Sequence, residues 1–171
     1  MKEVLMTAGL LIAPMQTLPT ETDTIPVRIH KELKCLTDNI YFESRSESFA
    51  GQIAVAHVVM NRVNDSRFPN TICEVIKQGP HYTNSAGESY PKKNWCQFSW
   101  YCDGLSDNIP KRHKKWYNHV AKTAQLVYDG SYKDITEGAT HYHADYVHPR
   151  WAKVYTKTTT IDIHIFYRWE K

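Results

Sequence analysis

The 171-residue sequence predicts one α+β domain, mainly α, closed by a small C-terminal antiparallel sheet. Three observations carry that expectation. Apolar residues recur at helical spacing over 29–43, 49–63, 71–78 and 113–128. From residue 139 the chain turns to Tyr, Thr, Val and His with period-two alternation, over 139–144, 153–160 and 163–168, as strands do. No internal repeat or low-complexity segment interrupts it, and the length suits one core that stands without staples.

Composition narrows the class further. With 42% hydrophobic and 23% charged residues the chain is not of the disordered type. A net charge of +3 does not point to tight nucleic-acid binding, and its basic excess is concentrated in Lys111–Lys115. That run is either a solvated face or a weak attraction to an anionic polymer. Five Trp and eleven Tyr suit a carbohydrate groove as well as a core. At the N-terminus, Lys2 precedes an apolar run over 4–13 and a Pro- and Thr-rich stretch to Pro26. The run is too short to span a bilayer, and Glu3 and the lack of an A-x-A site weigh against a cleaved leader. Residues 1–26 are therefore read as a signal-like or flexible segment, and 27–171 as the domain. Cys35, Cys73, Cys96 and Cys102 are disulfides in an exported protein and thiols in cytosol. The C-x5-C spacing of the last two does not match short zinc knuckles.

In the first helix Glu43 stands three residues past Ile40 and seven past Leu36, on the apolar face. The small polar run over 44–48 stops the helix just beyond it. Burial and the negative end of the helix both disfavour its charged form, as a general acid near neutral pH requires. The alternative is a structural Glu paired with Arg45 or Arg62. Glu47 precedes the next apolar run and is read as a helix-start residue, with Ser44 completing a capping-box pattern, in preference to a second catalytic acid. Residues 49–63 are apolar on nearly every side and form the central helix, with His57 and Asn61 as one polar spot. Residues 79–94 read as a long surface loop. Residues 96–104 alternate aromatic and polar groups between two cysteines. They make either a pinned structural loop or a substrate wall, with Gln97 and Ser99 as hydrogen-bonding groups and Trp100 or Tyr101 as a stacking face. The 113–128 helix presents Trp116, Val120, Ala124 and Val127 as one stripe. In the strands His141 and His143 share a face, and His164 and Phe166 share another, as a groove wall or a metal site.

Six motifs in order resemble the SleB-type cell wall hydrolases: Tyr41-Phe42-Glu43, Gly51 to Ala56, Asn61-Arg62-Val63, Phe68 to Cys73, Cys96 to Ser99 with Cys102-Asp103-Gly104, and the tail from Gly138 to Ala144 with Trp151 and His164 to Tyr167. The resemblance spans about residues 36–168. It implies a lysozyme-like fold and cleavage of peptidoglycan between N-acetylmuramic acid and N-acetylglucosamine by a lytic transglycosylase. Glu43 matches the family's catalytic acid. Gln97, Phe98 and Ser99 fall in the groove segment, Tyr142 matches a tyrosine of the active-site side, and Tyr41 and His141 complete the expected substrate contacts. Ser44, Ser46 and His141 depart from the family pattern. Cys35 lies outside the motifs, which leaves an unpaired thiol open. A single acid suffices where the substrate supplies the nucleophile, so no metal or other cofactor is expected. A hydrolytic muramidase, a zinc amidase drawing on His141, His143, His164 and a cysteine, and a non-catalytic wall-binding module are the alternatives. The expected partner is the glycan strand, met by a monomer without stable membrane insertion. The expected location is the cell envelope, periplasm or exterior, or release at lysis if the protein is phage-encoded.

Overall fold

The most apolar segment becomes the central helix, because a helix without a polar face must be covered on all sides. A computed structural model describes residues 25–170; the expected leader-like segment, 1–26, lies outside them apart from its last two residues. The central helix, α2 (Phe49–Val63), buries ten residues, among them Ile53, Val55, Val58 and Val59. Around it pack α1 (Ile25–Ser44), the short α3 (Ile72–Lys77) and α4 (Lys114–Tyr128). Leu36 and Ile40 of α1 are fully buried against Ile53, Ala56 and Val59 of α2 and Val120 and Ala124 of α4. A second, smaller cluster joins Ala54 and Val58 to Ala139 and Phe166, and so fastens the C-terminal sheet to the other side of α2.

That sheet has the order β3–β5–β4, all antiparallel, from β3 (His141–Ala144), β4 (Thr156–Ile161) and β5 (His164–Arg168). Its register sets Tyr142 opposite Phe166 and Ala144 opposite His164. The tight turn between β4 and β5 carries Asp162 at φ +50°, and its Oδ2 accepts from Ser48 N at 3.0 Å. Gly51 makes this approach possible, since a Cβ there would lie 2.4 Å from Asp162 Oδ2. The start of α2 and the sheet are thereby locked together. Both strands and helices follow the expected α+β, mainly α, lysozyme-like class.

Several local expectations need correction. Ser48, not Glu47, caps α2, accepting from Gly51 N at 3.2 Å. The reason is the helix start at Phe49, which leaves Glu47 a residue too early, while Ser44 Oγ bonds back to Ile40 O at 3.0 Å. Residues 79–94 are not a plain loop but contain the hairpin β1 (His81–Thr83) and β2 (Ser89–Pro91). Its turn is closed by Asn84 Oδ1, which accepts from Ala86 N and Glu88 N. Trp116 leaves the α4 stripe: it is 51% exposed, because the first turn of α4 overshoots the core that buries Val120, Thr123, Ala124 and Val127. Cys35 is no free thiol. It is bonded to Cys73, tying α1 to α3, and Cys96 is bonded to Cys102. No helix among the described residues is long and apolar enough to cross a membrane.

Candidate active site

Glu43 is the penultimate residue of α1, one turn beyond the buried Ile40, so the core-facing stripe delivers its carboxyl to the edge of the core. There it opens into a cleft of about 500 Å3. Four segments meet in it. The end of α1 and the following turn supply Glu43, Ser46 and Glu47; the disulfide-pinned loop supplies Gln97, Phe98 and Ser99; β3 and its exit supply Tyr142, His143, Ala144, Tyr146 and Val147; the turn into β5 and its first residue supply Ile163 and His164. Arg62 of α2 forms part of the floor.

The carboxyl of Glu43 is held by one strong contact, the Tyr142 hydroxyl donating to Oε2 at 2.8 Å. Burial is the largest influence on it and raises its pKa above the usual carboxylate value; the Tyr142 bond and the positive charge of Arg62 pull the other way. Arg62 is not in a salt bridge with it. Its Nε donates to Thr140 O at 2.7 Å, and its guanidinium lies 5.3 Å from the ring centres of both Phe68 and Phe98. Burial lowers Arg62 to about 10, so it stays charged at neutral pH. Tyr142 is pushed well above its ordinary value, by burial first and then by Glu43, and remains a hydroxyl donor. The alternative of a structural Glu–Arg pair thus gives way to an acid with one neutral donor and a cation at a distance.

The candidate residues separate into two groups. Glu43, Gln97, Phe98, Ser99 and Tyr142 converge on the cleft. Phe98 is nonetheless a core residue, only 2% exposed. Tyr41 and His141 do not reach it. Tyr41 faces the opposite side of α1, where its hydroxyl pairs with His113 Nδ1 and its ring packs on Phe42 and Tyr117. His141 sits on the outer face of the sheet among Trp151, Tyr155, Phe68 and Trp169, since strand neighbours point to opposite sides. Trp100 is also structural: it stacks on Phe42 at 4.6 Å and its Nε1 donates to Asn39 Oδ1 at 3.0 Å. Ser46, Tyr146, Val147 and Ile163 were not legible as cleft residues. His164 carried a readable signal, because antiparallel pairing places it on the Tyr142 side of the sheet. Strand parity separates it from His141, whereas His143 also borders the cleft; among the described residues no group of three or more His, Cys, Asp or Glu is placed to hold a metal ion.

The domain is mainly helical with a small sheet, and a half-buried acid lines its polar cleft. Comparison with known proteins gives the family: residues 46–167 match the Cell Wall Hydrolase family model, and the chain belongs to that family. Glu43 stands three residues ahead of the matched segment. The spore cortex-lytic enzyme of Bacillus cereus is 39% identical over 64 residues, which are 37% of this chain and 25% of that protein. That of Bacillus subtilis strain 168 is 29% identical over 89 residues, 52% of this chain and 29% of that protein. The aligned segments thus span about a quarter of these relatives. Among solved structures, the catalytic domain of the germination-specific lytic transglycosylase SleB from Bacillus anthracis superposes with TM-score 0.61 at 24% identity, covering 88% of this chain and all of that one. The catalytic domain of the Bacillus cereus SleB protein gives 0.55 at 26% identity, covering 81% and 91%.

Proposed function

We propose that residues 27–171 form a lytic transglycosylase domain that cuts peptidoglycan between N-acetylmuramic acid and N-acetylglucosamine, with Glu43 as its single acid and base. The observation that carries this is the Glu43 carboxyl: half-buried, raised in pKa, lining the cleft, and oriented by Tyr142. With Oε2 accepting from Tyr142, the acid proton belongs on Oε1 and is free to meet the glycosidic oxygen. As the C1–O bond breaks, that oxygen takes the proton and leaves with the departing sugar. The Glu43 carboxylate then removes the proton of the muramic acid C6 hydroxyl, whose oxygen closes on C1. The product is a 1,6-anhydro ring, and no water is consumed. Tyr142 and Arg62 both favour the carboxylate, so they hold the rise caused by burial within a range where Glu43 gives and retakes a proton. Gln97 and Ser99 are placed to orient the sugar. Membership of the cell wall hydrolase family supports a place of work on the cell wall, outside the cytoplasm.

A second reading has one observation of its own. Glu47 lines the same cleft, so a two-carboxylate hydrolytic muramidase remains the competitor. The test of the main reading is Glu43→Gln. Activity on purified sacculi falls by about 10²–10⁴-fold while sedimentation with them is kept. Retained activity would remove Glu43 from the chemistry, and a wild type that releases no fragments would leave only a binding module.

A further inference from the structure

Away from the cleft, the start of α4 carries the densest positive charge of the chain. Lys111, Arg112, Lys114, Lys115 and Lys122 stand in a stretch without a carboxylate between Asp107 and Asp129. All five are exposed, and the three ion pairs found among the described residues involve none of them. Helix stability does not explain Lys114 and Lys115, because cations in a first turn oppose the helix dipole and no acidic residue offsets them there. Between these charges lies a depression of about 520 Å3, lined by Arg112, Lys115, Trp116 and His119. Its floor is an indole that the core leaves half exposed. His119 leads on to the exposed Phe49, 6.5 Å away between ring centres, and Phe49 to Tyr132 at 5.4 Å. The combination is an aromatic platform rimmed by cations.

A platform of that kind fits a polymer that alternates flat, weakly polar faces with fixed negative charge. Peptidoglycan has both, in its pyranose rings and in the carboxylates of its peptide stems. We infer that the Arg112–Lys115–Trp116–His119 depression is a second peptidoglycan-docking site, which seats an uncut strand with Trp116 against a sugar face and Arg112 and Lys115 on stem carboxylates. The inference rests on the reading of the cleft as a peptidoglycan-cutting site. No residue is shared between the two depressions. They are joined through the last turns of α1: Tyr41, two residues before Glu43, bonds His113, and the Arg45 guanidinium lies 5.2 Å above the Tyr41 ring. A strand held at the platform keeps the cleft at high local concentration of neighbouring strands in an insoluble wall.

The test uses the full chain carrying Glu43→Gln, so that sacculi stay intact during binding. Sacculi are stripped of attached phosphate polymers and used with free or carbodiimide-amidated carboxylates. Trp116→Ala and the double variant Arg112→Glu/Lys115→Glu each weaken sedimentation about tenfold. Amidation weakens binding of the parent to a similar degree, and so does raising salt from about 0.05 to about 0.5 M. In the Glu43 background proper, both variants cut short soluble glycan chains as the parent does but digest sacculi more slowly. Unchanged sacculus affinity in both variants overturns the docking site. Binding that survives amidation, or that returns only with phosphate polymers present, overturns the stem-carboxylate assignment. Failure of the cleft reading looks different: soluble chains are not cut at all, while the platform variants still lose sacculus affinity.

Discussion

The two faces of the β3–β5–β4 sheet carry neighbouring residues into opposite roles. On the inner face, Tyr142, Phe166 and His164 look toward α2 and the cleft, and Tyr142 reaches the carboxyl of Glu43. On the outer face, His141 and Tyr167 pack with Trp151, Tyr155 and Trp169 into an aromatic cluster without access to the cleft. On the inner face Tyr142 serves a carboxyl that must change charge. On the outer face His141 is held neutral: burial first, then Arg62 and Arg67, lowers it to about 4. Adjacent positions of one strand thus set Tyr142 to the chemistry and His141 to the scaffold.

Substitution at adjacent positions gives the largest effect expected of that division. Tyr142→Phe lowers kcat/KM on sacculi about 10–100-fold, whereas His141→Phe leaves it within about twofold. Because the Tyr142 bond lowers the Glu43 pKa, its loss also moves the alkaline limb of the activity profile to higher pH. Equal losses in the two variants would break the comparison.

The wall facing Tyr142 sharpens it. Cys96–Cys102 closes a short loop around Gln97, Phe98 and Ser99, while Cys35–Cys73 closes a separation of 38 residues and lines no part of the cleft. Chain-entropy reasoning assigns about 4 kcal/mol to the longer bridge and about 2 kcal/mol to the shorter. Replacing Cys35 and Cys73 by Ser therefore costs more in denaturant midpoint, and replacing Cys96 and Cys102 costs more in activity of the folded enzyme.

Smaller effects appear in stability against pH. The folded-state pKa of Glu43 is raised, so its contribution is intact at low pH and is lost as pH rises through the folded value. Glu43→Gln escapes that loss and melts higher than wild type near neutral pH, with no such gain below the usual carboxylate range. His141 has the opposite sign. Its folded pKa is depressed, so stability drops as pH falls from 6.5 toward about 4. His141→Phe flattens this portion of the curve, which thermal melts at successive pH values would register.

Much of this was legible in the residues themselves. The Leu36–Ile40–Glu43 stripe put an acid on a core-facing side, and an all-round apolar helix at 49–63 had to be central. The CQFS segment announced itself by tightly mixed aromatic and polar groups. What failed depended on tertiary geometry. Trp116 fits its helical stripe, yet whether the core extends that far is a property of the neighbours. Tyr41 lies two residues from Glu43, which on a helix sends it to the other side of the axis. His141 and Tyr142 could not both face one groove, and only the pairing of β3 with β5 over the α2 surface decides which does. The Cys35–Cys73 bond needed the packing of α1 on α3, which no spacing encodes.

The most direct measurement is mass spectrometry of the muramic acid ends released from sacculi by the wild-type protein in H2(18)O. A single Glu43 acting with the C6 hydroxyl as nucleophile predicts 1,6-anhydro ends without incorporated label. Reducing ends carrying (18)O would contradict it and transfer the second step to water activated by another group, with Glu47 the carboxylate already in the cleft.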